Sequence, residues 1–142
     1  GDGRQEIVYG TEDGWLFAVE PRRGGEVWKL NIVGRVVGLE MLPTGIVVAS
    51  EFGDLYALGF DGTVRTHRHV SEWIHGAVRC GDEIVVATED KRLLKFDAAG
   101  VQTGSLRAQG EIRQLHRVAG AVICVLQDNR ICVYRGPMIG SK

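Results

Sequence analysis

Ile7-Val8-Tyr9-Gly10-Thr11-Glu12-Asp13-Gly14-Trp15-Leu16-Phe17-Ala18-Val19 returns three times along the chain, its residues drifting but its pattern held. It comes back as Ile46-Val47-Val48-Ala49-Ser50-Glu51 followed by Leu55-Tyr56-Ala57-Leu58. It comes back again as Ile84-Val85-Val86-Ala87-Thr88-Glu89-Asp90 followed by Leu93-Leu94-Lys95-Phe96. The last copy is Val122-Ile123-Cys124-Val125-Leu126-Gln127-Asp128-Asn129, then Ile131-Cys132-Val133-Tyr134. The copies start at 7, 46, 84 and 122, a period of 39, 38 and 38 residues. A period kept to one residue over four copies marks one structural unit repeated.

Each unit reads as β. Runs of Val, Ile, Leu and aromatics are broken every few residues by Gly, Asp or Asn, and no window forms a capped amphipathic helix. With the strands of a unit called a, b, c and d, the first unit gives b at 6–11, c at 15–20 and d at 26–32. The second gives a at 36–42, then 46–50, 55–60 and 64–70. The third gives 75–79, 83–88, 92–97 and 101–107, and the fourth 112–117, 121–126 and 130–135. Asp13-Gly14, Asp61-Gly62 and Asp128-Asn129 are turn dipeptides, since Gly and Asn tolerate positive φ and Asp bonds nearby backbone.

Four strands in about 40 residues are the signature of a propeller blade. Strand b is apolar at nearly every position, as a strand sandwiched between two neighbouring blades must be. Strand d is polar, as in Arg65-Thr66-His67-Arg68-His69, which suits an outer edge that must not pair with another chain. The expected fold is all-β: an arc of about four antiparallel four-stranded blades, fourteen strands in one domain or part-domain over residues 1–142. The repeats are expected at 5–44, 45–82, 83–120 and 121–142.

Composition narrows the function classes. The 17 basic and 18 acidic side chains give a formal charge of −1, so there is no electrostatic footprint for nucleic acid or an anionic membrane. Apolar runs are only a few residues long, which excludes a spanning helix. Gly is abundant at 20 and Pro rare at 3, while a charged fraction of 25% argues for an ordered chain. Three cysteines, Cys80, Cys124 and Cys132, fit reduced thiols better than a disulfide framework. A three-residue hairpin loop, Gln127-Asp128-Asn129, would set Cys124 opposite Cys132, whereas a two-residue loop would put them on opposite faces.

Ala18-Val19-Glu20-Pro21-Arg22-Arg23-Gly24-Gly25-Glu26-Val27-Trp28 resembles the docking motif A-x-D-x-x-T-G-K-x-x-W of quinoprotein-like (PQQ-like repeat) propellers. Ala18, Gly24 and Trp28 match it; Glu20 stands for Asp, Arg23 for Thr and Gly25 for Lys. The resemblance implies that Trp28 packs between adjacent blades. Later units keep shorter echoes, Asp61-Gly62-Thr63 and Asp97-Ala98-Ala99-Gly100. Gly1-Asp2-Gly3-Arg4-Gln5-Glu6-Ile7-Val8-Tyr9-Gly10 also resembles the tail of an FG-GAP/VCBS repeat, whose loop can bind calcium. Here the front half of that loop is absent, and Asp2 with Glu6 cannot fill six oxygen positions. The family is functionally mixed and implies a fold rather than an activity. It leans towards exported proteins while the free thiols lean the other way, so no compartment follows.

The strand count does not close, with three a, four b, four c and three d. An arc of this kind exposes two apolar blade faces. Association with a second copy to complete a ring, or membership of a larger parent chain, is therefore expected ahead of closure alone as four blades.

Catalytic constellations are absent from the sequence: no nucleophile-base order, P-loop or dinucleotide fingerprint has credible spacing. No cofactor and no metal site are expected, a quinone-dependent dehydrogenase fragment being the remote alternative. His67 and His69 share a face with His75 nearby, yet an exposed edge strand accounts for them, and His116 stands alone. Glu12, Glu51 and Glu89 recur at the b–c turn and are expected to cap turn amides; a ring of such turns could hold a cation or a basic partner. The preferred function is a non-catalytic scaffold or self-assembling unit that mediates protein interaction. Its expected surface is Ser71-Glu72-Trp73-Ile74-His75, with Trp73, His75 and Glu72 as binding residues and Trp28, Gly24 and Ala18 as structural ones. The alternative is a small-ligand or carbohydrate module using Trp73 and His75 as a platform.

Overall fold

The computed structural model describes residues 6–119, 121–135 and the backbone of 140–141. The aspartate of the FG-GAP-like stretch lies outside the described residues. Four antiparallel meanders follow one another along the chain. Blade 1 holds β1 (Ile7–Gly10), β2 (Trp15–Val19) and β3 (Glu26–Asn31). Blade 2 holds β4 (Val36–Leu42), β5 (Gly45–Ser50), β6 (Asp54–Leu58) and β7 (Val64–His69). Blade 3 holds β8 (Ile74–Cys80), β9 (Glu83–Thr88), β10 (Arg92–Phe96) and β11 (Gln102–Arg107). Blade 4 holds β12 (Ile112–Val118), β13 (Ala121–Leu126) and β14 (Ile131–Arg135). These are the fourteen strands that the sequence pattern predicts. A fifteenth, β15 (Gly140–Ser141), adds to the outer edge of blade 3 by pairing with β11. Two residues carry no periodicity, so no pattern could announce it.

The core lies between the blades. Ile46 and Val48 of β5 pack with Leu16 and Ile32 of blade 1. Their neighbours Val47 and Ala49 pack on the other side with Ile84 and Val86 of blade 3. Val85 and Ala87 of β9 then meet Val122 and Cys124 of blade 4. Successive side chains of a strand alternate between faces, so a strand with a blade on each side must be apolar throughout. Each fully buried aliphatic side chain contributes about 1.5–3 kcal/mol.

Irregularities repeat with the unit. The c–d ladder slips at Ala18/Val19, Ala57/Leu58 and Lys95/Phe96, and the a–b ladder at Val36/Gly38, Ile74/Gly76 and Ile112/Gln114. A bulge at the same place in successive units belongs to the design of the blade. The hairpin of blade 4 has the three-residue loop, so Cys124 faces Cys132 directly. None of the three cysteines is joined in a disulfide. Burial, with Cys132 beside it, pushes the Cys124 thiol up to about 12.

The docking stretch locks blade 1 to blade 2. Ala18 is fully buried, and Glu20 does the work of the motif's aspartate: its carboxylate accepts from the amides of Arg22 and Arg23, both at 3.0 Å. Gly24 ends this turn at φ +68°. Trp28 Nε1 donates to the carbonyl of Phe60 at 3.0 Å, and the turn at Gly62 lies flat on the indole. One repeat on, Thr66 Oγ1 reaches the carbonyl of Ala99 at 3.0 Å, with Gly100 against it. The same interlock is made by Trp in one repeat and Thr in the next.

The arc is open. Blade 1 turns Ile7 (52% exposed) and Tyr9 (44%) away from blade 2, and blade 4 turns Ile131 (68%) and Val133 (57%) away from blade 3. Closure of the chain on itself as four blades is therefore not what forms.

Candidate interaction site

The d–a loops and b–c turns meet along one rim, stitched by a repeated backbone bond. Glu51 N–H donates to Arg35 C=O at 2.8 Å, Glu89 to Trp73 at 3.3 Å and Gln127 to Glu111 at 2.9 Å. The expected capping by glutamate holds only at Glu51, whose carboxylate accepts from the Arg35 amide at 3.2 Å. Elsewhere threonine does it. Thr11 Oγ1 accepts from the Trp15 amide at 3.0 Å and Thr88 Oγ1 from that of Arg92 at 3.3 Å. Each hydroxyl in turn donates to the aspartate two residues on, Asp13 and Asp90. The hydroxyl is at the right height for the turn amide, and the longer glutamate is left to the surface.

Trp73 sits on this rim, 42% exposed, tilted against Phe52 with ring centroids 5.2 Å apart. Phe52 is itself 41% exposed. It was not among the residues singled out from the sequence, although the signal was there: Phe52 occupies the turn position that is Asp13, Asp90 and Asp128 in the other repeats. Glu72 is exposed in the same loop, and His75 is exposed on β8. The two rings come together; among the described residues neither Glu72 nor His75 hydrogen-bonds to or stacks on them.

The histidines of β7 are organised by an aspartate rather than by His75. Asp54 Oδ1 lies 3.1 Å from His67 Nε2 and 3.2 Å from His69 Nδ1, and His67 stacks on Tyr56 at 4.3 Å. Asp54 lies opposite His69 in the β6–β7 ladder, which puts all three on one face. His116 accompanies Gln114 at 3.2 Å.

A family profile described as outer membrane protein assembly factor BamB, of the PQQ-like repeat type, matches residues 12–135. The chain belongs to that family. No curated protein matches the sequence. Among solved structures, this PQQ-like arc is similar to the computationally designed Ika4 protein, at TM-score 0.76 and 17% identity over 94% of this chain and 88% of that one. It is similar to the designed Ika8 at TM-score 0.77 and 15% identity, covering 94% of this chain and 43% of that one. It is also similar to BBS1N in complex with ARL6DN, at TM-score 0.78 and 23% identity over 99% of this chain and 46% of that one. The chain thus spans less than half the length of Ika8 and of BBS1N.

The family name raises a quinone with its calcium ion. The residues present do not fit that pair. Among the described residues no three His, Cys, Asp or Glu groups converge as ligands. The turn aspartates are committed to their own turns, Asp61 to the Thr63 amide at 3.0 Å and Asp97 to those of Ala99 and Val101.

Proposed function

We propose that this chain is a non-catalytic propeller scaffold, an assembly unit that further blades complete into a ring and that holds a partner protein through its rim. The observation that supports it is the chemistry of the two end faces. Inside the arc each blade turns a bulky face to the blade before it, as Tyr56 with Leu58 and Leu94 with Phe96 do. It turns a smaller face to the blade after it, as Leu16 with Ala18 and Leu55 with Ala57 do. Blade 1 presents the bulky kind outward: Tyr9 stacks on Phe17 at 5.3 Å, and Phe17 on Trp15 at 6.1 Å. Blade 4 presents the aliphatic kind outward, Ile123, Val125, Ile131 and Val133. The end faces are the two halves of a contact that the arc makes three times internally. Joining them is a heterologous, head-to-tail interface, which closes when the blades complete a turn.

A second copy of the chain supplies both halves.

Light scattering on a sizing column tests this. The folded chain is expected near about 31 kDa, twice the 15.5 kDa of one copy. Phe17→Glu and Ile131→Glu each break one face, so each variant alone is expected at 15.5 kDa. Mixing the two restores the larger species, because each retains the face the other has lost. A folded wild-type monomer, or an Ile131→Glu variant that still dimerises alone, overturns the head-to-tail reading. Absence of catalysis is tested separately: absorbance gained on adding quinone and calcium would overturn it. The Phe52–Trp73 pair also suits a sugar ring, and glycan-array binding lost in Trp73→Ala would establish that second reading.

A further inference from the structure

We propose that Phe52 and Trp73 form a docking site for a basic peptide segment of a partner protein, a segment carrying an apolar side chain flanked by Lys or Arg. The proposal rests on the scaffold reading and names the chemistry of its partner.

The repeat itself carries the inference. Position by position, Phe52 corresponds to Asp13, Asp90 and Asp128, and Trp73 to Arg35 and Glu111. Both positions are charged in the other repeats and aromatic only here. The two departures are 21 residues apart in sequence and touch in space, with centroids 5.2 Å apart. They also leave a mark beneath the surface. Thr11 and Thr88 donate their hydroxyls to Asp13 and Asp90, but Ser50, at the same place in this repeat, has its Oγ buried with no partner. A buried hydroxyl without a partner destabilises the fold. Blade 2 therefore gives up a turn bond found in its neighbours and exposes a ring in exchange, a trade that structure alone does not reward and that binding sites commonly show. Gly53 fixes the geometry. At φ +86° it lets the Ser71–Glu72 loop come so close that a Cβ would lie 1.7 Å from the Ser71 carbonyl oxygen. That approach brings Trp73 over Phe52.

Charge chooses the occupant. On this rim Arg35 is matched by Glu51, Arg92 by Asp90 and Arg130 by Asp128. Glu12, Asp13, Glu72, Glu89 and Glu111 have no ion pair among the described residues; against these five stand Lys91 in the turns and Arg107 and Arg113 at the adjoining strand ends, which leaves the rim with an acidic excess. An aromatic centre inside an acidic surround fits an apolar anchor with basic flanks, the anchor supplying affinity and the flanks orientation and on-rate.

The probe is a fluorescein-labelled peptide Gly-Lys-Arg-Leu-Leu-Arg-Lys-Gly, read by anisotropy, beside two relatives in which Glu replaces the basic residues or Ser replaces the leucines. The oligomeric state of each sample is read by light scattering, so a failure of ring assembly is seen apart from a failure of binding. The basic-apolar peptide is expected to bind at least tenfold tighter than either relative. Trp73→Ala should weaken it tenfold or more, whereas the charge reversal Asp82→Lys, on the opposite rim, should leave it within threefold. Phe52→Asp restores the repeat's own residue. It is expected to abolish binding while the melting temperature holds within about 3 °C or rises. Equal binding of the serine or the glutamate peptide, or unchanged binding by Phe52→Asp, overturns the proposal. So does a fall of more than about 5 °C in Phe52→Asp, which would make Phe52 a packing residue on Gly34.

Discussion

Trp28→Ala probes the join between the first two blades. The indole packs against the cluster that includes Leu16, Ile46 and Leu58, and its Nε1 hydrogen bond reaches the Phe60 carbonyl at 3.0 Å. Removing a large buried aromatic costs about 3–5 kcal/mol. Trp28 is only half-buried, which sets the packing loss near the low end, and the lost hydrogen bond adds about 1 kcal/mol. The expected total of about 3–4 kcal/mol corresponds to a fall in melting temperature of about 10–15 °C for a chain of this size. Trp28→Phe keeps a ring and loses the donor, so a fall of about 5 °C is expected. A third variant separates the interlock from bulk hydrophobicity. In Gly62→Ala the new Cβ meets the indole at 2.6 Å and the residue must hold φ +84°. Made in the Trp28→Ala background, the same change no longer meets the indole and retains the backbone strain, about 1 kcal/mol. The cycle is therefore expected to be non-additive by about 1 kcal/mol or more. Thermal unfolding by circular dichroism reads all four variants beside wild type. Additive effects, or a Trp28→Ala shift below about 3 °C, would refute the view that Trp28 joins the blades.

Lys91 holds φ +67° at the turn position that is Gly14, Gly53 and Asn129 in the other repeats; Lys91→Gly is expected to raise the melting temperature by about 2 °C, because relief of left-handed strain outweighs the added chain entropy. Burial pushes the Asp90 carboxyl up, but the Thr88 hydroxyl and the Arg92 guanidinium more than offset it and hold it below its ordinary 3.8. A depressed folded value means a contribution that is present above that pH and lost as pH falls through it. Asp90→Asn should thus be destabilised at pH 7, by less than about 1 kcal/mol for so exposed a group, and match wild type near about pH 2; equal loss at both pH values would sink this account. The Cys124 thiol, pushed up to about 12 by burial with Cys132 opposite, should resist maleimide at pH 7.5 until the chain unfolds; mass spectrometry showing labelling at the rate of a free thiol would contradict the sealed blade 3–blade 4 interface.

What the sequence carried and what it withheld follow from the same repeat. Strand positions were legible because each blade must satisfy two neighbours. That requirement forces a run such as Ile46-Val47-Val48-Ala49, which no other environment demands at a 38-residue period. The place of Glu20 in the docking stretch was legible, whereas its bonds to the Arg22 and Arg23 amides appear only once the turn is formed. Phe52 went unseen because a lone aromatic in a turn looks accidental until its repeat equivalents are aligned and its ring is found against Trp73. Asp54 went unseen because its meeting with His67 and His69 depends on the β6–β7 register, which the His-x-His spacing alone does not state. A repeat therefore announces its fold through what it conserves and its candidate site through where it departs. In this chain the departures that touch one another are Phe52 and Trp73, and the buried, unpartnered Ser50 shows that the departure has a structural consequence. The end faces obey the opposite logic. Tyr9 with Phe17 and Ile131 with Val133 are ordinary repeat residues that no neighbouring blade covers among the described residues. Assembly is accordingly predicted from regularity and recognition from its breach, and the two can be tested on separate variants because no residue serves both.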